Sequence, residues 1–213
     1  MRTILFDFDG TVADTLPLIF AAFRSTFAHF LQKQYSDEQI VALFGPTETG
    51  IVKNELPPDL HEAALQHFFT AYDALHQDMQ NPPEIAAMLE TFRAAGIRMG
   101  IVTGKGRRSA DISLARMALS AYFEVVVTGD DVTDPKPHPE GIFLAMEKLG
   151  AAAEDTIYVG DSDADVLAGQ AAGVKTVGVN WLAVTQKAGV FDPPPDCQFS
   201  DVQSFVDWVM APR

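Results

Sequence analysis

The sequence has little of several features that would point to other classes of protein. It contains one cysteine, Cys197, which excludes an intramolecular disulfide and any cysteine-based zinc cluster. Only 15 Lys and Arg oppose 29 Asp and Glu, so the net charge is −14 and nonspecific nucleic-acid binding is disfavoured. No run of about 18 uncharged apolar residues occurs, so no transmembrane helix is expected. We therefore expect neither a nucleic acid nor a membrane as a partner.

The N-terminal region also lacks the apolar stretch of a secretory signal, because Asp7 and Asp9 interrupt it early. This predicts a cytoplasmic protein. The 213 residues are 47% hydrophobic and 21% charged, which is ordinary for a globular chain and argues against disorder. The length suits one substantial domain, with or without a smaller insert.

Short apolar runs alternate with helical patterns along most of the chain. The predicted strands cover residues 3–6, 98–102, 124–128, 156–159 and 175–179. They are short and rich in β-branched residues, as in strands buried on both faces. Alternation with helices predicts an α/β fold, a doubly wound parallel sheet covered on both sides.

Helix boundaries are marked by familiar signals. Pro139 opens a predicted helix that Gly150 ends. Capping boxes are predicted at Ser36 with Gln39 and at Ser200 with Gln203. Residues 14–80 contain helical patterns but no credible strand, which predicts an all-helical cap inserted after the first strand. The predicted domains are an α/β core of residues 1–13 and 81–213 and a helical cap of residues 14–80.

The first predicted strand leads into two carboxylates, Asp7 and Asp9, which are spaced to emerge on the same side. Two acids in a turn are often only turn or cap residues. The apolar residues that precede this pair predict a buried strand, which would direct both acids into a crevice at its carboxyl end. Such close charges need a cation, a proton or an exposed setting.

Two other segments carry groups suited to anions. Thr103 and Gly104 follow the second predicted strand, where a hydroxyl and backbone amides bind an anion or simply cap a helix. Lys136 lies between Pro135 and Pro137, which stiffen the segment that presents its ammonium group. Each signal alone is also compatible with a purely structural role.

An acidic segment containing Asp161, Asp163 and Asp165 follows the fourth predicted strand. A calcium-binding EF-hand is excluded, because that loop would need Gly in place of Val166 and Glu in place of Ala172. The alternative is that Asp161 lies beside Asp7 and Asp9 and completes an oxygen-rich site suited to Mg²⁺. Asp163 is expected to face solvent or to cap the next helix.

Taken in order, the four motifs resemble the haloacid dehalogenase-like (HAD) hydrolase superfamily, and the helical insert is similar to the small cap of its phosphoglycolate phosphatase-like branch. The resemblance implies a phosphatase with a Mg²⁺ cofactor and an aspartyl-phosphate intermediate. It implies a nucleophile, Asp7, and an acid and base, Asp9, with Thr103 and Lys136 completing the catalytic set. The implied phosphate contacts are Phe8, Asp9, Thr103, Gly104 and Lys136. The implied metal ligands are Asp7, the Asp9 carbonyl, Asp161 and Asp165.

The substrate is expected to be a small phosphate monoester, such as phosphoglycolate or a sugar phosphate. Three cap residues, Thr47, Glu48 and Lys53, are hypothesised to help select it, although Thr47 is equally suited to capping a helix. A phosphomutase or a pyrophosphatase on the same core remains open, and so does a non-catalytic module that binds a phosphorylated ligand. Halide-releasing members of the superfamily are disfavoured because they typically lack an acid at the position of Asp9. No protein partner is evident.

Overall fold

The computed structural model describes residues 2–77, 79, 81–186 and 189–212. The strands within them form one parallel sheet with the order β3-β2-β1-β4-β5-β6. They are β1 Thr3–Phe6, β2 Arg98–Val102, β3 Val125–Val127, β4 Thr156–Gly160, β5 Lys175–Val179 and β6 Cys197–Phe199. Helices flank the sheet, and the predicted doubly wound α/β fold is confirmed.

The strand predictions differ from the structure at both edges of the sheet and at the end of one inner strand. The structure shortens the third predicted strand to Val125–Val127 and extends the fourth to Gly160. Strand β6 was not predicted. It has only three residues, with Gln198 at its centre, and it pairs with β5 alone. So short an edge strand shows no apolar run that sequence patterns can detect.

The helices of the described residues divide between two positions in the chain. Helices α1 Leu16–Leu31, α2 Asp37–Val41, α3 Glu48–Glu55 and α4 His61–Leu75 fall within the predicted cap range. Helices α5 Pro83–Ala94, α6 Arg107–Arg116, α7 Glu140–Leu149, α8 Asp163–Ala172 and α9 Val202–Met210 alternate with the strands. None of the helices in residues 2–77, 79, 81–186 and 189–212 has the length and apolarity of a membrane span.

The sheet has an apolar cluster on each face. Ile4 and Phe6 of β1 belong to one cluster, while Leu5 between them belongs to the other. This alternation follows from the two-residue period of a strand. Because β1 is buried on both faces, its sequence is continuously apolar, as a central parallel strand requires.

Helices α1 to α4 have an apolar cluster of their own, built largely from aromatic rings. The Phe23 ring lies 4.6 Å from the Phe68 ring and 5.5 Å from the Phe27 ring, measured between centroids. Such pairs add about 0.5–1.5 kcal/mol each beyond the burial of their surface. The domain boundary predicted at residues 14–80 stays a prediction, but this packing gives the four helices a separate core.

Helix caps agree with the sequence in part. The box of Ser36 and Gln39 is present, and Gly150 ends α7 in the left-handed conformation. The box predicted at Ser200 and Gln203 is wrong. Asp201 caps α9 instead, because its carboxylate accepts the backbone N–H of Ser204 at 2.8 Å.

Candidate active site

The candidate site lies where three adjacent strands end. Phe6 of β1 is in register with Ile101 of β2 and Val159 of β4, so the segments after these strands emerge at one edge. The Asp7 N–H donates to the carbonyl of Val159 at 2.8 Å and thereby fixes the chain at this edge. Strand β1 lies between β2 and β4, at the point where the strand order reverses. Doubly wound sheets bind ligands at such a point.

Three carboxylates converge at this edge. Asp7, Asp161 and Asp165 are buried, and one carboxylate oxygen from each lies within 4.8 Å of the others. One oxygen of Asp161, Oδ2, accepts the N–H of Gln186 at 2.6 Å, whereas the buried Oδ1 has no hydrogen-bond partner. An unpartnered buried carboxylate oxygen beside two other acids is a donor set suited to a hard divalent cation.

Burial dominates the electrostatics of Asp7 and Asp161. It raises the pKa of Asp7 to about 7, against the lowering effect of Lys136 and with a further increase from Asp165. Burial also raises the pKa of Asp161 well above its ordinary value, and the charge of Asp7 adds to this. The protonated forms are favoured because the anions are poorly solvated. A bound cation would reverse this preference.

Lys136 bridges two of the three acids. Its Nζ lies 2.8 Å from Asp7 Oδ1 and 2.6 Å from Asp165 Oδ1. Burial lowers the pKa of Lys136, but the charges of Asp165 and Asp7 raise it by more, so this pKa stays well above its ordinary value. Asp165 also accepts the Tyr158 hydroxyl at 2.9 Å and the Ser162 hydroxyl at 2.5 Å. These contacts hold the acid and the ammonium group in fixed positions.

Asp9 lines the same cavity but has different partners. Its carboxylate accepts a hydrogen bond from the Thr15 hydroxyl and lies 3.0 and 3.1 Å from Nζ of Lys105. The sequence motifs assigned no role to Lys105. Its position directly after Thr103 and Gly104 was the available signal, since that turn lies at the same sheet edge.

Lys105 also contacts the cap. Its Nζ lies 3.3 Å from Oε1 of Glu48 and 4.8 Å from the centre of the Tyr72 ring. The other Glu48 oxygen, Oε2, accepts the Gly106 N–H at 2.7 Å. Burial opposes the charge of Lys105, but the carboxylates of Asp9 and Glu48 keep its pKa above the ordinary value.

The other predicted phosphate contacts are placed as follows. Thr103 and Gly104 line the cavity, and the Thr103 hydroxyl accepts the Lys105 N–H at 3.2 Å. The Phe8 side chain is fully buried in the core, and its carbonyl accepts the N–H groups of Val12 and Ala13. A contact between Phe8 and phosphate would therefore have to use its own N–H.

The three predicted specificity residues differ in their positions. Glu48 lines a cavity of about 240 Å³ between α1, α3 and the sheet edge. Thr47 caps α3 by accepting the Gly50 N–H, and it is not among the lining residues. Lys53 is exposed on α3 and is also outside the lining. The geometry therefore favours Glu48 among the three.

One further expectation concerns the fourth motif. Asp163, expected to face solvent or cap a helix, is the first residue of α8, and its Oδ1 accepts the Asp192 N–H at 2.9 Å. The cap of that helix is Ser162, which forms a capping box with Asp165. Ser162 and Gln186 also line the cavity. No sequence signal singled out Gln186, because its position depends on how a distant loop folds back.

Comparisons with known proteins agree with this geometry. A family model described as haloacid dehalogenase-like hydrolase matches residues 4–179. A pyrophosphatase PpaX from Bacillus pumilus is 38% identical over 197 residues, which cover 92% of this chain and 90% of that protein. A second PpaX, from Anoxybacillus flavithermus, is 36% identical over 183 residues, with coverages of 85% and 84%.

Solved structures show the same fold. A phosphoglycolate phosphatase predicted in Haemophilus somnus superposes with a TM-score of 0.85 at 22% identity, covering 99% of this chain and 98% of that one. CbbY from Rhodobacter sphaeroides, crystallised with phosphate, gives a TM-score of 0.81 at 22% identity and covers 95% of both chains. At this identity the two structures establish similarity of fold.

Proposed function

The chain belongs to the haloacid dehalogenase-like hydrolase family, and on that premise we propose that it is a Mg²⁺-dependent phosphatase. Its proposed substrate is a small phosphate monoester, hydrolysed through an aspartyl-phosphate. The observation that carries the proposal is the convergence of Asp7, Asp161 and Asp165 with Lys136 in one hollow. This arrangement combines a carboxylate nucleophile, a candidate cation site and a fixed ammonium group.

The proposed metal ligands are Asp7, the main-chain carbonyl of Asp9 and Asp161, with Asp165 contributing directly or through a water molecule. The donor set fits, because a buried oxygen of Asp161 lacks a partner. A Cβ at position 10 would also collide with the Asp161 carboxylate, so the absence of a side chain at Gly10 provides the space that this carboxylate occupies. When bound, Mg²⁺ supplies positive charge against the transferring phosphoryl group.

The proposed reaction has two steps. In the first, a carboxylate oxygen of Asp7 forms a bond to phosphorus while the bond to the ester oxygen breaks, and Asp9 donates a proton to that oxygen. In the second, Asp9 takes a proton from water, whose oxygen attacks phosphorus and releases inorganic phosphate and the free Asp7. Asp9 is therefore first an acid and then a base.

The other groups stabilise charge. Lys136, the Thr103 hydroxyl and the Gly104 amide are proposed to contact the phosphoryl oxygens, together with the amides of Phe8 and Asp9. These contacts position the phosphoryl group for in-line attack and offset its negative charge. Lys136 is well suited to this role because Asp7 and Asp165 hold its ammonium in place.

A pyrophosphatase is the second candidate, because the relatives named PpaX are called pyrophosphatases and one is 38% identical to this chain. A phosphomutase would use the same core groups but would return the phosphoryl group to an organic acceptor instead of water. A non-catalytic binding module would show neither activity.

Phosphate release distinguishes these candidates. The protein is incubated with p-nitrophenyl phosphate, phosphoglycolate, sugar phosphates and pyrophosphate, each with Mg²⁺ or with EDTA. We expect Mg²⁺-dependent phosphate release from at least one monoester. Release from pyrophosphate alone would favour the second candidate, isomerisation of a sugar phosphate without net release would indicate a mutase, and no turnover would contradict the proposal.

A further inference from the structure

The side of the cavity that the cap forms is largely apolar. Its apolar lining from the cap region consists of Leu16, Ile19, Phe23, Phe44, Pro46 and Ile51. Glu48 is the charged side chain that the cap contributes to this lining. Among the lining residues that the structure describes, no Lys, Arg or His comes from the cap.

One cation, Lys105, reaches this side from the core, but two carboxylates already hold it. Asp9 lies 3.0 Å and Glu48 lies 3.3 Å from its ammonium nitrogen, and its side chain is 0% exposed. With Asp9 ionised the group of three has a net negative charge, and with Asp9 protonated, as in the first proposed step, the charges of Lys105 and Glu48 cancel, so in neither state is the net charge positive. Among the described residues that line the cavity, an anionic portion of a substrate would find no unpaired cation on this side.

Glu48 is held in place by its second oxygen. That oxygen accepts the Gly106 N–H at 2.7 Å, and the residue is 5% exposed. Rotating Glu48 away to free Lys105 would break this bond and leave a buried N–H unpaired, which is costly. The whole cap range adds to the effect, since residues 14–80 contain three Lys and Arg and nine Asp and Glu.

We propose that the site selects phosphate monoesters whose leaving group is uncharged, and that Glu48 is the residue that rejects anionic leaving groups. The inference rests on the proposed phosphatase function and specifies its substrate class. A carboxylate or second phosphate on the leaving group lies in a poorly solvated region beside the Glu48 carboxylate, where like charges repel strongly. An uncharged leaving group instead contacts the apolar lining.

The test compares two substrates of nearly equal size that differ in charge: phosphoglycolate and its primary amide. The measured quantity is the ratio of kcat/KM for the amide to kcat/KM for the acid, at saturating Mg²⁺. For the wild-type protein we expect a ratio of at least about tenfold in favour of the amide, a discrimination typical of one mismatched polar contact. Pyrophosphate is measured alongside and is expected to be a poorer substrate than the amide.

Glu48→Gln removes the charge but keeps an oxygen that can accept the Gly106 N–H. We expect this variant to lower the ratio at least about fivefold, because removing the negative charge favours the acid over the amide whatever the change common to both esters. Glu55→Gln is the matched control, because Glu55 lies on the same helix, bonds to Tyr35 and is outside the cavity lining. Its ratio should equal that of the wild type. If Glu48→Gln does not fold by circular dichroism, Glu48→Met replaces it.

The outcomes separate the two proposals. A wild-type protein that hydrolyses phosphoglycolate or pyrophosphate at least as efficiently as the amide is a phosphatase or pyrophosphatase, and the selectivity inference is then wrong. Equal losses on both esters in folded Glu48 variants would assign Glu48 a structural role and also overturn the inference. Absence of hydrolysis for every compound would overturn the proposed function, and the inference with it.

Discussion

The sheet edge and the helical layer α1–α4 contribute opposite kinds of surface to one cavity. The sheet edge supplies Asp7, Asp9 and Lys136 to the lining, and Asp161 and Asp165 are buried beside Asp7. The helical layer supplies apolar side chains and one carboxylate, Glu48. The difference supports the proposal that the core residues act on the phosphoryl group while the helical layer contacts the rest of the substrate.

The two regions also differ in how they hold their side chains. At the sheet edge, positions follow from strand register, because β1, β2 and β4 end side by side. In the helical layer, positions follow from the packing of aromatic rings such as Phe23 and Phe68. Substitutions in the core are therefore expected to affect the rate of the reaction, and substitutions in the cap to affect the choice of substrate.

The largest effect is expected at Asp7. Asp7→Asn should lower phosphate release at least about 10³-fold, because an amide does not form the covalent intermediate. The fold should be retained, since Asn keeps the size of the side chain, and circular dichroism provides the control. Substantial residual turnover by a clean preparation would remove Asp7 from the mechanism and weaken the contrast between core and cap.

A smaller loss is expected at Asp9. Asp9→Asn should lower turnover about 10²–10⁴-fold, the usual contribution of an acid and base. The loss should be greater for alkyl phosphates than for p-nitrophenyl phosphate in the first step, because nitrophenolate departs without protonation. Phosphoenzyme should accumulate with that substrate, as seen by acid quench and mass spectrometry. Equal losses for both substrates in a pre-steady-state measurement of the first step would contradict the assignment.

Mg²⁺ should stabilise the protein in a way that depends on pH. Since burial raises the pKa of Asp7 to about 7, the metal-free fold holds a proton that the unfolded chain releases near its ordinary value. The stabilisation that the protonated Asp7 side chain gives the metal-free protein is therefore lost as the pH rises from about 4 to about 7. Mg²⁺ replaces the proton, so it should raise Tm by several degrees more at pH 8 than at pH 5.

Asp161→Ala provides the comparison for this measurement. The variant should lose most of the Mg²⁺-induced increase in Tm at pH 8 and should require at least about tenfold more Mg²⁺ for activity. Differential scanning fluorimetry with and without Mg²⁺ gives the first quantity, and a metal titration of phosphate release gives the second. An unchanged Mg²⁺ titration in the variant would exclude Asp161 as a ligand.

The smallest effect is expected in the cap surface. Lys53→Ala should change relative rates across a panel of phosphate esters by less than about twofold, because Lys53 is exposed and outside the cavity lining. Lys33→Ala serves as a second exposed cap lysine. A marked change in substrate preference with Lys53→Ala alone would restore the hypothesis that this residue helps select the substrate.

Sequence patterns predicted the elements that carry strong local signals. The central strands are apolar runs followed by polar turns, and the capping box of Ser36 and Gln39 has a local spacing. The patterns failed where the local signal was weak or ambiguous. Strand β6 forms by pairing with the edge of β5, which no local pattern encodes. The cap of α9 was ambiguous because Ser200 and Asp201 are adjacent and both are suitable cap residues, and the structure uses Asp201.

The candidate site divides in the same way. The order of Asp7, Thr103, Lys136 and Asp161 along the chain is a property of the sequence, and it is sufficient to indicate the family. The pairing of Lys105 with Asp9 and Glu48 is not such a property, because 57 positions separate Lys105 from Glu48 and 96 separate it from Asp9. Contacts of that kind depend on how α3 packs against the turn after β2.

The amino-acid sequence alone determined the alternation of strands and helices and placed Asp7, Thr103 and Asp161 just after predicted strands, because strand and helix periodicities are local. Only the tertiary structure decided which of these side chains meet and which charges cancel. Burial and pairing depend on every element around a residue, and so the Glu48 carboxylate became a partner of Lys105 through the packing of the cap on the sheet.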